Sequence, residues 1–228
     1  FITLFHWDYP QKLYEKGGWL NSESPNWFAA YTKVLMNHFS DRVKNWITLN
    51  EPQCFIGLGY YSTLHAPGIQ LAFSEVLLAA HHVLLSHGKA VQTIRAHSKQ
   101  PAVIGYAPVG ELSVPFDEAS QRDIDAAREA TFGLKSLDCF NSSLWMDPIL
   151  LGQYPEKCGE IYGSDMPPYT DKDLEIISEP IDYLGLNIYF AKHVSADANG
   201  NAIEMSREPG HSYVPMGWPV EPKSLYWG

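Results

Sequence analysis

The sequence predicts an α/β fold in which strands and helices alternate along a parallel sheet. Three observations predict it. Four apolar, strand-like runs are separated by segments with helical periodicity; the first two runs are joined through a helix as a β-α-β unit; and polar residues gather at the C-terminal ends of the runs. Strands joined through a helix run parallel. Alternating folds place their chemistry beyond the carboxyl ends of such strands.

Residues 1–8 read as the first strand, with His6 and Asp8 at its C-terminal end. After a Gly17-Gly18 turn, Ser24 is the expected N-cap of a helix with Pro25 just inside it. Trp27, Phe28, Tyr31, Val34, Leu35, His38 and Phe39 recur at three- and four-residue spacing, an amphipathic stripe. The second strand spans 45–51 and runs into Asn50-Glu51-Pro52, where a proline without an N–H ends the ladder. A loop carrying Gly57, Gly59, Pro67 and Gly68 leads to a long helix over 71–97, whose core stripe is Val76, Ala80, Val83, Leu84, Ala90, Val91 and Ile94. A third strand is expected at 102–107, helices at 117–131 and 134–146, and a proline-rich loop to about 170. A short helix over 171–178 precedes a fourth strand from Asp182 to Phe190. The tail from 191 to 222 reads as loop with a hairpin.

Composition narrows the function. A chain of 228 residues, 45% hydrophobic, can bury a sizeable core without a linker or internal repeat. A net charge of −10 argues against nucleic acid or an anionic membrane as partner, and no apolar run is long enough to span a bilayer. Cys54, Cys139 and Cys158 form no C-x-x-C pair and read as thiols of a reducing compartment, so a cytoplasmic location is expected. No glycine-rich phosphate loop follows a strand, and His82 and His87 lack partners at ligand spacing; neither cofactor nor metal is expected. The absence of a G-x-S-x-G elbow removes support for acyl transfer.

The candidate site is the set of strand ends: His6 with Trp7 and Asp8, Asn50 with Glu51, and Asn187 with Tyr189. By two-residue alternation Tyr183, Gly185, Asn187 and Tyr189 share one face. Amides and imidazole both give and take hydrogen bonds with hydroxyls, indole packs on C–H faces, and a carboxylic acid can protonate a leaving oxygen. That inventory suits a neutral polyhydroxylated ligand. Taken singly, His6 also reads as a core histidine, Tyr189 as core filler and Asp8 as a turn residue.

Taken together the segments resemble a known family. Ile2-Thr3-Leu4-Phe5-His6-Trp7-Asp8, Gly17-Gly18-Trp19-Leu20-Asn21, Asp41-Arg42-Val43-Lys44 and Thr48-Leu49-Asn50-Glu51-Pro52 are similar to segments of the family 1 glycoside hydrolases. The likeness continues in order through His65-Ala66-Pro67-Gly68, Ser86-His87-Gly88-Lys89-Ala90-Val91, Asp147-Pro148, Tyr154-Pro155, Asp182 to Tyr189 and Gly217-Trp218. The resemblance implies a (β/α)8 TIM barrel of which residues 1–228 hold the third to sixth β/α units, a single domain truncated at both ends. It implies a retaining β-glycosidase of β-glucosidase type, with Glu51 as general acid/base and Asn50 on the sugar 2-hydroxyl. His6 and Trp7 would line the sugar subsite, Asn187 would sit near the reacting sugar, and Tyr189 would orient the nucleophile. Gln53 occupies a position where the family often has an aromatic facing the leaving group. The substrate implied is a β-glucoside or a short β-linked oligosaccharide; a 6-phospho-β-glycosidase or a non-catalytic sugar-binding relative is the alternative.

The family nucleophile lies in a Thr-Glu-Asn-Gly segment that this sequence lacks; Asp8 and Glu111 follow strand ends but do not match it. The partners expected are therefore the remaining barrel segments, without which residues 1–228 would be inactive and prone to associate through open strand edges.

Overall fold

The computed structural model describes residues 1–110 and 112–228, so Glu111 lies outside the described residues. In chain order the elements are β1 (Ile2–Phe5), α1 (Gln11–Tyr14), α2 (Ser24–Phe39), β2 (Asn45–Asn50), α3 (Phe73–His97), β3 (Val103–Ala107), β4 (Leu112–Pro115) and α4 (Gln121–Phe132). They continue with α5 (Ser142–Leu150), α6 (Cys158–Ile161), α7 (Asp171–Ile177), β5 (Tyr183–Leu184), β6 (Ala191–Ala196), β7 (Ala202–Glu204) and α8 (Ser224–Trp227). These fall into two compact units, Phe1–Val109 with Leu134–Leu186, and Gly110–Gly133 with Asn187–Gly228. Among the described residues no helix is long and apolar enough to cross a membrane.

The first unit is built on a parallel sheet of order β1-β2-β3-β5, with Phe5 opposite Leu49, Trp46 opposite Ile104 and Tyr106 opposite Leu184. Each strand follows its neighbour through a helical crossover, which is why all four run the same way. The expected stripe of α3 is the core: Val76, Val83, Leu84, Ala90, Val91 and Ile94 are fully buried. On α2 the buried face is Phe28, Thr32 and Met36, whereas Tyr31, Val34 and Phe39 are 41–53% exposed. The Thr32 hydroxyl donates to the Phe28 carbonyl at 2.8 Å, so a polar residue takes a core position at little cost. Ser24 is the first helical residue rather than the cap; Glu23 precedes it without a side-chain cap bond.

The fourth strand is shorter than the sequence suggests. Only Tyr183–Leu184 pair with β3, not 182–190. At its front edge the Asp182 carboxylate, not a backbone carbonyl, accepts the Ile104 N–H at 2.7 Å; at its far edge the Gly185 N–H bonds the Tyr106 carbonyl at 2.9 Å. From Asn187 the chain belongs to the second unit. The Tyr183 phenol turns to the neighbouring strands of its own sheet. It lies over Gly105 and donates to the Trp46 carbonyl at 3.1 Å, occupying the space that a Cβ at Gly105 would fill.

Behind the sheet, Thr48 Oγ1 and His87 Nδ1 lie 2.7 Å apart and tie β2 to α3. His87 is fully buried, and burial pushes its pKa down to about 3. The unfolded chain therefore binds a proton near pH 6.5 that the folded chain refuses, so this contribution to stability is complete above pH 6.5 and is lost as pH falls. Between pH 7 and 4.5 the loss from His87 alone is about 2–3 kcal/mol. Urea unfolding at the two pH values will show that loss in the protein and a shallower pH dependence in His87→Gln; equal slopes would refute the assignment.

In the second unit β4 pairs parallel with β6, and β7 returns antiparallel through a turn in which Asp197 Oδ1 accepts the N–H groups of Asn199 and Asn201, both at 2.8 Å. The expected hairpin is therefore present. Asp123 of α4 accepts from Ser195 Oγ at 3.1 Å and from the Ala196 N–H at 2.9 Å, which pins the helix to β6. Buried Glu221 gathers Arg207 and His193, the latter at 2.6 Å, and so fastens the segment after β7.

Candidate active site

The site begins where β2 stops. The Glu51 N–H still makes a ladder bond to the Ala107 carbonyl of β3 at 2.8 Å, while its own carbonyl accepts from the N–H of Cys54 at 2.9 Å. Strand thus becomes helix at Glu51, and Pro52 starts a segment whose π-helical form over Gln53–Tyr61 closes with Ser62 N–H to the Gly57 carbonyl, five residues back. The switch sets Glu51 at φ 48°, a left-handed conformation that costs a non-glycine residue about 1–2 kcal/mol. Trp7 at the end of β1 is left-handed too, with φ 75°. Left-handed residues of this kind concentrate at functional sites.

Four of the six expected site residues come together in the first unit. The Trp7 indole N–H donates to the Asn50 backbone carbonyl at 3.1 Å, bridging β1 and β2. The Asn50 amide nitrogen, which can only donate, lies 3.4 Å from His6 Nε2. Asn50 and Glu51 are 7% and 4% exposed, so both are held in a low-dielectric setting. The Trp7 ring also packs against His65 with centroids 5.1 Å apart. A cleft of about 410 Å³ adjoins Trp7 and is lined by Asp8, Gln11, Tyr14, Trp19 and Tyr60, a mixture of rings and hydrogen-bonding groups. Asn187 and Tyr189 lie in the second unit, where the Asn187 carbonyl accepts the Gly110 N–H at 2.9 Å and Tyr189 packs on Trp218 with centroids 5.4 Å apart.

One neighbour of the carboxylate, Cys54, escaped sequence reasoning as a site residue. Cys54 Sγ donates to Glu51 Oε2 at 3.4 Å, and the thiol is buried. Burial first, then the Glu51 charge and this hydrogen bond, push its pKa up to about 12. The available signal was the three-residue spacing after a proline, which puts both side chains on one helical face. Gln53 is fully buried; its amide donates to the Val109 carbonyl at 3.1 Å, and its Oε1 has no partner among the described residues.

A buried carboxylate and amide at the C-terminal end of one strand in a run of parallel β-α-β units stand where alternating β/α enzymes place their chemistry. Comparison with known proteins agrees. A family model described as glycosyl hydrolase family 1 matches residues 1–225. The sequence is 37% identical over 231 residues to a 1,4-beta-D-glucan glucohydrolase of Thermotoga neapolitana, covering all of this chain and 51% of the relative. It is 35% identical over 228 residues to beta-glucosidase A of Thermotoga maritima, covering 49% of that protein. The solved family 1 β-glucosidase from Thermotoga maritima superposes with a TM-score of 0.82 at 36% identity, over all of this chain and 49% of that one. The same values hold for the Thermotoga maritima enzyme in complex with glucoimidazole. The chain belongs to glycosyl hydrolase family 1.

It spans about half the length of these relatives. The solved neighbours are TIM barrels, so the expected fold class, part of a (β/α)8 barrel, stands; among the described residues no sheet closes on itself. The 6-phospho-β-glycosidase and non-catalytic readings are not favoured.

Proposed function

We propose that this chain is part of a retaining β-glucosidase that removes terminal β-D-glucosyl residues by double displacement, with Glu51 as general acid/base. The observation that carries the reading is the buried Asn50–Glu51 pair, braced by the Ala107 ladder bond and the Trp7 indole. In the first half-reaction a carboxylate attacks C1 while Glu51 protonates the leaving oxygen. In the second, Glu51 takes a proton from the water that attacks C1 of the glycosyl-enzyme. Asn50 is assigned to the sugar 2-hydroxyl, His6 and Trp7 to the wall of the sugar subsite, Asn187 to the reacting sugar, and Tyr189 to orienting the nucleophile.

In this reading the nucleophile comes from sequence outside residues 1–228, and the remaining barrel segments complete one hydrolase domain. The substrate class is a β-glucoside or a short β-linked oligosaccharide, supported by the glucoside-directed names of the relatives and by the glucoimidazole complex of the Thermotoga maritima enzyme. Cys54, Cys139 and Cys158 are buried free thiols, which suits a reducing compartment such as the cytoplasm. The test is stereochemical: the full-length enzyme acting on an aryl β-glucoside should release β-glucose first, followed by NMR before mutarotation. Release of the α-anomer, or no turnover, would overturn the proposal.

A further inference from the structure

We propose that the cleft beside Trp7 is a second ligand site, separate from the catalytic groups, that binds one neutral pyranose through phenols, an amide and a carboxylate. Its volume of about 410 Å³ falls within the roughly 300–1,000 Å³ of small-molecule sites. None of His6, Asn50 and Glu51 lines it. Trp7 borders it, while the Trp7 indole N–H reaches back to the Asn50 carbonyl at 3.1 Å. The sugar class follows from the lining alone; the choice of glucose as the sugar rests on the proposed function.

Three tyrosines converge there. A Cβ on Gly18, which is left-handed at φ 54°, would stand 3.5 Å from the Tyr60 hydroxyl, 3.6 Å from the Tyr14 ring and 3.9 Å from the Tyr9 ring. Tyr60 is 4% exposed, yet its hydroxyl has no hydrogen-bond partner among the described residues, and the same holds for the Tyr9 and Tyr14 hydroxyls. A buried hydroxyl without a partner carries a desolvation cost that a ligand hydroxyl removes. Burial, then the neighbouring phenols, push the Tyr60 pKa upward, and burial pushes Tyr9 up to about 12, so both stay neutral donors. Asp8 also lines the cleft, with no ion-pair partner among the described residues, and no Lys, Arg or His lines it. An anionic ligand would therefore meet only negative charge. A quaternary ammonium ion would suit Asp8 and the ring faces, but it brings neither donor nor acceptor for three hydroxyls. Vicinal sugar hydroxyls donate to Asp8 and exchange hydrogen bonds with the phenols and the Gln11 amide, while the rings cover C–H faces.

The experiment titrates D-glucose by calorimetry into the full-length enzyme whose catalytic site is filled covalently with a 2-deoxy-2-fluoroglucosyl group. The filled enzyme should still bind glucose. Tyr14 lies on α1, which buries no residue, so its variants leave the fold intact. Tyr14→Ala should weaken this binding at least about tenfold by removing a ring and a hydroxyl. Tyr14→Phe, which loses the hydroxyl alone, should weaken it about twofold to tenfold. No binding to the filled enzyme, or equal affinity in Tyr14→Ala, would overturn the proposal. So would displacement of the glucose by choline, which would make the cleft a cation cage.

Failure of the fluoroglucoside to label would instead strike the double-displacement reading, and unlabelled protein would still judge the cleft. Glucose should then fill one more site in the wild type than in Tyr14→Ala. The same number of sites in both would overturn the proposal.

Discussion

Replacing Glu51 by Gln should lower kcat/KM for an alkyl β-glucoside by about 10²–10⁴-fold in the full-length enzyme, the contribution of one positioned proton donor. The substitution preserves shape, and the backbone bonds of residue 51 to Ala107, Cys54 and Phe55 do not involve the side chain, so the strand end should survive it. A nitrophenyl glucoside, whose leaving group needs little protonation, should glycosylate the enzyme with a smaller penalty. Its glycosyl-enzyme should then persist, because water lacks a base. Azide needs no deprotonation and should restore turnover, releasing glycosyl azide with retained configuration. A loss below about tenfold on the alkyl substrate, or no response to azide, would remove Glu51 from the proton-transfer role.

Gly88→Val should be the most damaging single change to the first unit, costing about 3 kcal/mol or more or preventing folding. Gly88 sits in the middle of α3, where glycine disfavours helix. Its place is explained by α7: a Cβ on residue 88 would run into the backbone carbonyl of Ile176 and come within 3.0 Å of Ile177 Cα. Backbone on backbone cannot be relieved by a rotamer change. Gly159 is the control, since a Cβ there meets nothing within 4 Å; Gly159→Ala should be neutral or mildly stabilising. Denaturation midpoints of the two variants decide the matter, and a Gly88→Val protein as stable as wild type would show that α3 and α7 are not in this close contact.

The parts of the fold that sequence reveals are those where one pattern dominates. The stripe of α3 is buried as its spacing requires, and β2 ends at the proline that denies it a further N–H. Elsewhere a competing interaction decides. Tyr31, Val34 and Phe39 fit a helical stripe, but the buried face of α2 lies to one side of them, with Thr32 satisfied by its own helix. The run Asp182 to Phe190 alternates like a strand, yet a carboxylate stands in for backbone at one end and the chain joins another unit at the other. The helix expected at 134–146 begins at Ser142, because the Asn141 side chain accepts the Leu144 N–H at 3.2 Å and caps it there. β4, four residues ending in a proline, gave no periodic signal long enough to read.

The site divides in the same way. Asn50 and Glu51 were legible because a polar pair at the end of an apolar strand is conspicuous, and His6 and Trp7 because they end the neighbouring strand. The contact of Cys54 with the carboxylate was not, since it depends on the direction in which one thiol points.

The left-handed backbone at Glu51 sets chemistry against stability at a single position. Glycine and asparagine accept φ 48° more readily than glutamate does. A chain shaped for robustness alone would therefore carry one of them at position 51 and gain stability there. On the proposed function, glutamate is kept there in an uncomfortable posture for its part in proton transfer. Designers who borrow this half-barrel as an inert scaffold should begin by giving that posture up.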